Sequence, residues 1–223
     1  MKYLQININK YNPLKGSSWI PTPVFLQNKK CIINVNNRDN YCFLWSLVAC
    51  ILFNTNRKTK NLFRINDCSL LREFFPNYSN FSFPMSLKSI RHFEESNQIC
   101  SINVFGFDST KNSIIGPFYK TLNEKSIHAN LLLLEQNNQF HFTWIKDMSR
   151  RSFQVNYQYT DIESTFCNNC LLSFNSEENL VLHKKRNCYE TVSKLPDTDK
   201  KNWIAFNDYS KMSKAPICHI CGH

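Results

Sequence analysis

Residues 36–53, NNRDNYCFLWSLVACILF, decide how the chain folds. A polar, turn-forming run of Asn36, Asn37, Arg38, Asp39 and Asn40 breaks abruptly into an apolar segment that begins at Cys42. Short side-chain oxygens accept hydrogen bonds from the unpaired N–H groups of a first helical turn, so Asp39 or Asn40 is the expected N-cap. From Cys42 to Phe53 nearly every face is apolar, the pattern of a helix enclosed on all sides by a core. The run is too short to cross a bilayer, which takes about 20 apolar residues. Cys42 therefore falls in the first turn, where N–H groups and the positive dipole end lower a thiol pKa from about 8.5 to about 3.5–7.5. Cysteine hydrolases keep their nucleophile in such a place, and some ordinary core helices also begin with Cys.

Upstream, residues 3–8 alternate polar and apolar, and GSSWIPTPVF (16–25) is Pro-rich. Pro21 and Pro23 predict an extended arm up to residue 27 rather than regular structure. CIINV (31–35) is a short strand candidate leading into the polar turn. Downstream, residues 54–60 form a basic loop, 62–75 a second and weaker helix, and 76–84 a loop. SLKSIRHFEE (86–95) spaces Leu87, Ile90 and Phe93 at helical intervals, and SINVFGFD (101–108) is a strand. HANLLLL (128–134) and FHFTWI (140–145) flank EQNNQ, in which Asn137 and Asn138 tolerate the positive φ of a tight hairpin turn. In the second of these strands His141, Thr143 and Ile145 share one face, and Phe140, Phe142 and Trp144 the other. These elements predict an α+β domain with a central buried helix and an antiparallel sheet over residues 1–160. A small unit at 161–190 and a polar tail at 191–223 follow.

The composition suits a packed core: 42% of the 223 residues are hydrophobic and 14% aromatic, which excludes a disordered chain. The net charge of +10 favours acidic partners, non-specific nucleic acid among them, or an acidic protein face. Residues 1–11 lack the hydrophobic run of a signal peptide, and no stretch is long enough for a membrane span, so an intracellular setting in nucleus or cytoplasm is expected. Ten cysteines in such a chain read as thiols and metal ligands rather than disulfides.

The clearest ligand set is Cys167-x₂-Cys170, then His183-x₄-Cys188, with Phe174 and Leu180 at the two apolar positions between them. CxxC closes a knuckle that offers two thiolates, and His183 and Cys188 project from one side of a short helix to complete a tetrahedron. This is the spacing of a ββα zinc finger with Cys in place of its second His. With all four positions filled by protein, Zn²⁺ there is structural. The start of its helix carries Ser176, Glu177, Glu178 and Asn179, acidic or neutral where a base-reading finger presents its contacts. Protein docking or backbone clamping suits it better than sequence-specific DNA binding. Cys218-His219-Ile220-Cys221-Gly222-His223 is a further knuckle in the tail, whose four ligands within six residues would strain a tetrahedron, and it reads as a truncated or inter-chain site.

A nucleophilic Cys42 needs a His base and a group that orients the His. His183 goes to the metal, and His219 and His223 lie in the tail. His92 reads as a surface or packing residue, His128 opens the first hairpin strand, and His141 stands just past the hairpin turn. His141 is the expected base, with His128 the alternative. Asp147 shares the His141 face but reaches it only through a sharp turn; Gln139 and Asn156 are easier orienting candidates, and the sequence alone does not choose. Asn36 or Asn37, with the Cys42 N–H, is the candidate oxyanion donor, and Asp39 serves there or as a plain cap.

GSSWIPTP (16–23), NRDNYCFLWSLVA (37–49), SLKSIRHFEESN (86–97), INVFGFD (102–108), HANLLLLEQ (128–136), HFTWIKDMSR (141–150) and the Cys/His unit (166–188) together resemble a segment of Maverick/Polinton-type mobile elements. In those elements it precedes the exonuclease region of a protein-primed family-B DNA polymerase. No exonuclease or polymerase motif is present here, so polymerisation is not expected. Asp39-x-x-Cys42 and the late His-aromatic pair also resemble cysteine deubiquitinases of the ovarian-tumour and viral tegument-like types. That resemblance implies a papain-like fold and isopeptide hydrolysis of ubiquitin conjugates, with Cys42 as nucleophile and His141 as proton shuttle. The rival expectation is a non-enzymatic accessory segment of a transposon replication protein that binds nucleic acid or polymerase.

Overall fold

A computed structural model of the chain describes residues 19–137, 139–148, 165–185 and 188. Helix α1 (Val24–Lys29) and the two-residue strand β1 (Ile32–Ile33) lead into α2 (Cys42–Asn54). A 3₁₀ turn at Leu62–Arg64, α3 (Ser69–Phe74), another 3₁₀ turn at Tyr78–Asn80 and α4 (Leu87–Ser96) follow. Strands β2 (Ser101–Asp108), β3 (Ser113–Lys120), β4 (His128–Gln136) and β5 (Gln139–Ile145) come next, then β6 (Thr165–Phe166), β7 (Ser173–Phe174) and α5 (Glu177–Lys185). The α+β class expected from the sequence is what the chain adopts.

Helix α2 is the axis of the core. Every residue from Cys42 to Leu52 is buried, as an all-round apolar run requires. It lies across one face of a five-stranded sheet ordered β1-β5-β4-β2-β3. Ser46 Oγ donates to the Phe142 carbonyl of β5 at 2.9 Å, and one turn later the Cys50 thiol donates to the His128 carbonyl of β4 at 3.5 Å. Phe43 meets Phe93 of α4 and Phe142 edge-on at 5.1 and 5.3 Å, an arrangement the aromatic quadrupoles favour. The alternation read from β5 is realised: Phe142 and Trp144 pack with α2, while Ile145 joins Leu26 of α1, Ile20 and Leu132 on the other face.

Four features of the fold differ from the sequence reading. The sheet is mixed, because β2 and β4 run parallel with Ser101 opposite His128. The chain leaves β2 into the antiparallel β3, then returns through residues 121–127 to enter β4 from the end where β2 began. Lys125 holds that return, its ammonium donating to the carbonyls of Glu94, Asn97 and Cys100 at 3.0, 3.0 and 3.2 Å. Strand β3 escapes a sequence reading because Gly116-Pro117 sits inside it, a pair that marks turns; an edge strand tolerates a Pro whose missing N–H no neighbour needs. The third correction is α1. Pro23 does not extend the arm but caps a helix, its carbonyl accepting the N–H of Leu26 at 2.9 Å and of Gln27 at 3.0 Å. The expected 62–75 helix is a 3₁₀ turn followed by the six residues of α3, and Asn137 takes the hairpin's positive φ of 52°. Among the described residues no helix is long and apolar enough to cross a membrane.

Candidate active site and metal-ligand cluster

The polar run ahead of α2 makes a different cap from the one its composition suggests. Tyr41 is the N-cap and makes no side-chain cap bond. Asp39 turns the chain in front of it: its Oδ1 accepts the Tyr41 N–H at 2.9 Å and its two oxygens accept the Trp45 indole N–H at 3.1 and 3.0 Å. Asn37 adds its amide, donating to the Asp39 carbonyl at 2.7 Å and to Oδ1 at 2.9 Å. The Asn37 donors are thereby engaged, so its amide does not supply the oxyanion contact considered for it. Asn36 is exposed, with its backbone N–H on the Phe63 carbonyl at 2.9 Å.

Cys42 lies where α2 meets the backbone of β5. The Phe142 N–H bonds to its sulfur, and with the N–H groups of Phe43 and Cys42 itself it acts to lower the thiol's pKa. Burial outweighs them, and the thiol is pushed up to about 11. The lowered pKa expected from the first-turn position is corrected on this ground: dipole and N–H donors favour the thiolate, but Cys42 is 1% exposed and a charge there loses its hydration.

His141, the residue before Phe142, is fully buried. Its Nε2 lies 2.8 Å from Asn34 Oδ1. The Asn34 amide is committed elsewhere, donating to the Ile20 carbonyl at 2.8 Å and to Thr22 Oγ1 at 3.0 Å. Its Oδ1 must therefore be the acceptor, which places the proton of a neutral His141 ring on Nε2 and the lone pair on Nδ1. The orienting residue is thus Asn34, in the short link between β1 and the polar turn. Sequence spacing missed it because it is 107 positions from His141; its adjacency follows only from β1 pairing with the far end of β5. Of the orienting candidates, Asp39 is engaged as above, Gln139 is exposed at the hairpin end, Asp147 is half-buried just past β5, and Asn156 lies outside the described residues. His128 bridges Ser101 Oγ at 2.7 Å and Asn130 Oδ1 at 3.2 Å, and burial lowers its pKa.

The second cluster is the four Cys/His residues. The ligand atoms of Cys167, Cys170, His183 and Cys188 all lie within 4.8 Å of one another and could hold a metal ion. Cys167 Sγ is 3.6 Å from Cys188 Sγ, and Cys170 Sγ is 3.2 Å from His183 Nε2. Bonds of about 2.3 Å to sulfur and about 2.0 Å to nitrogen in a tetrahedron put neighbouring ligand atoms about 3.5–3.8 Å apart; the Cys167–Cys188 separation falls in that range and the Cys170–His183 separation is somewhat shorter. The knuckle closes through the Leu171 N–H on the Cys167 carbonyl and the Cys167 N–H on the Leu172 carbonyl, both 2.9 Å, with Leu171 at φ 65°. Leu180 is buried beneath, and the Phe174 and His183 rings stack 4.7 Å apart.

Asn168, inside the CxxC, ties this unit to the sheet, a role its residue type does not advertise. Its carbonyl accepts from Asn103 of β2 at 2.9 Å, its Oδ1 from Asn130 of β4 at 3.0 Å, and its amide donates to Glu124 at 3.1 Å. Glu124 also pairs with Lys184 of α5 at 3.2 Å. The terminal Cys218 and Cys221 lie outside the described residues. No protein-family model, no curated protein and no solved structure matches the chain.

Proposed function

We propose that the chain is a papain-like cysteine isopeptidase that cleaves ubiquitin conjugates. The observations that support this reading are the Asn34–His141 hydrogen bond of 2.8 Å and the N–H that the next residue, Phe142, gives to the sulfur of the first-turn Cys42. A cysteine, a histidine and an amide that fixes the histidine tautomer are the parts of a nucleophile–base–orienter set. In the proposed reaction His141 Nδ1 takes the proton of the Cys42 thiol, and the sulfur adds to the carbonyl carbon that joins ubiquitin's C-terminal glycine to the substrate amine. The tetrahedral adduct expels the amine, which receives the proton from His141. Water, deprotonated by the same ring, then hydrolyses the thioester and restores the thiol. The Cys42 N–H is the oxyanion donor in this scheme. Cys167, Cys170, His183 and Cys188 hold structural Zn²⁺ in a ββα finger, where the ion cross-links the hairpin to α5.

A ubiquitin bearing a C-terminal electrophile tests the proposal. The expected result is a covalent adduct on Cys42 that is absent in Cys42→Ala and slowed in His141→Ala. No adduct, or equal labelling of Cys42→Ala, defeats it.

A second reading rests on the enclosure of the pair, Cys42 at 1% and His141 at 0% exposure. On that reading the chain is a non-enzymatic zinc-finger accessory segment of a replication protein, holding nucleic acid or polymerase through its basic surface. DNA retention that falls steeply between low and moderate salt supports it, and retention indifferent to salt removes it.

A further inference from the structure

Helix α5 has one side spent and one side open. At about 100° per residue, Leu180 and His183 fall together on one side, Leu180 buried and His183 among the four ligand residues. Glu178, Val181, Leu182 and Lys185 fall within an arc of about 100° on the opposite side. All four are exposed, Val181 by 42% and Leu182 by 50%. Two other charges of the helix are used within the chain: Glu177 accepts from Thr165 Oγ1 at 3.2 Å, and Lys184 pairs with Glu124 at 3.2 Å. Among the described residues neither Glu178 nor Lys185 makes an ion pair. A pair of branched apolar side chains on an open helix face, with one acid and one base at its ends, suits contact with a second helix.

The order of the charges decides which helix. The midpoint of the stripe lies between Val181 and Leu182, and Glu178 and Lys185 stand about 5 Å along the axis on either side of it. A twofold axis through that midpoint lays a second α5 antiparallel on the first. Val181 then meets Leu182 of the other copy, and each Glu178 stands opposite the other copy's Lys185. A parallel pairing would set Glu178 against Glu178 and Lys185 against Lys185. The rule for a twofold contact, that if one residue meets another the second meets the first, is thus satisfied within a single helix. Nucleic acid laid along the same face would run its phosphates past Glu177 and Glu178, which repel them.

We propose that two copies of the chain associate through the outer faces of their α5 helices, antiparallel, with Val181 and Leu182 as the apolar centre and Glu178–Lys185 pairs at both ends. Each copy contributes one short helix face, less than the roughly 1,200–2,000 Å² of a stable interface requires, so the dimer is reversible, with a Kd on the order of 0.1 mM. Cys42 takes no part in this contact, and the association stands whether or not the chain is a hydrolase.

Analytical ultracentrifugation of the full zinc-loaded chain, in reducing buffer and up to about 1 mM, reads the association directly. The expected result is a monomer–dimer equilibrium without larger species, because a twofold contact closes on itself. Val181→Ser with Leu182→Ser, both exposed positions, should leave monomer throughout. Glu178→Lys and Lys185→Glu each set like charges against one another at both ends and should weaken self-association by on the order of tenfold. Each also opposes the helix dipole, so the deciding measurement is their mixture. A Glu178→Lys chain and a Lys185→Glu chain match at both ends of the contact, and mixing them should restore association to near the parent strength. A fault of folding is not cured by mixing. Association indifferent to the serine pair or to the reversals, a mixture that fails to recover it, or growth of open-ended assemblies each overturn the proposal. So does a chain that stays monomeric at about 1 mM, whether its α5 face is then bare, covered by its own tail or taken by an unlike protein.

Discussion

Cys42 is held as a neutral thiol in the folded chain, and its reactivity should show it. A free cysteine titrates near 9.0 and Cys42 near 11. Below both values that difference leaves about a hundredfold less thiolate, since one pKa unit is a factor of ten. The perturbation is iodoacetamide at pH 8, where only the thiolate reacts. Exposed Cys68 serves as an internal reference in the same molecule, and peptide mass spectrometry reads the two sites together. Cys42 should be alkylated at least about a hundredfold more slowly, with its rate rising about tenfold per pH unit between pH 8 and 10. In denaturant the two rates should converge. Alkylation of native Cys42 in step with Cys68, or a rate that levels off below pH 9, would refute the argument that burial outweighs the helix dipole. The same difference reappears in stability. The folded chain keeps a proton that the unfolded chain loses, so the contribution is whole below about pH 9 and is lost as pH rises towards 11. It amounts to roughly 3 kcal/mol, and Cys42→Ala should flatten that part of the alkaline slope.

Other perturbations are smaller. Asn34→Ala removes the acceptor of a fully buried His141 Nε2 and two further bonds; chemical denaturation should show a loss of about 1–3 kcal/mol. On the hydrolase reading Asn34→Ala also lowers kcat with KM little changed, whereas a purely structural Asn34 leaves kcat per folded molecule intact. Asn168→Ala strands the Asn130 amide at the junction of sheet and knuckle, at about 1–2 kcal/mol, or roughly 2–4 °C in Tm per kcal/mol. Elemental analysis should find one zinc per chain in the native protein and a marked loss in Cys170→Ser, with the far-UV signal of α5 lost on chelation while the β2–β5 sheet signal remains.

How much of this was legible beforehand depends on whether a residue's role is local. The all-round apolar run of α2, the leucine run of β4 and the period-two pattern of β5 on either side of their hairpin turn, and the knuckle spacing are short-range patterns, and each formed where its pattern lies. Roles set by distant partners left no such mark. Asn34, Asn103, Asn130 and Asn168 look alike in an Asn-rich chain, yet one orients a histidine and the others fasten a knuckle to the sheet. Strand β3 was hidden for a related reason: whether Gly-Pro ends a strand depends on whether a neighbour needs the missing N–H, which is a property of the sheet. Gly106 shows the same dependence, since a Cβ there would stand 2.5 Å from the Phe118 ring of β3, a constraint invisible until the two strands are paired.

The enclosure of Cys42 also bears on how a hydrolase reading could work. The first-turn N–H groups already favour the thiolate, and Phe142 adds one more, so the electrostatic groundwork is present. What opposes ionisation is chiefly burial. A substrate that parts α2 from β5 would admit water and its own dipoles to the sulfur and relieve that opposition; it gives up the Phe142 N–H but keeps those of Phe43 and Cys42, which travel with α2. Asn34 holds His141 from the opposite face of the sheet, through partners at Ile20 and Thr22 that such a parting need not disturb. The expected signature is a nucleophile inert to a small alkylating agent and reactive to a macromolecular electrophile that first occupies the surface beside it. Equal reactivity towards both, or towards neither, would separate this substrate-gated arrangement from an open active site and from a core that never opens.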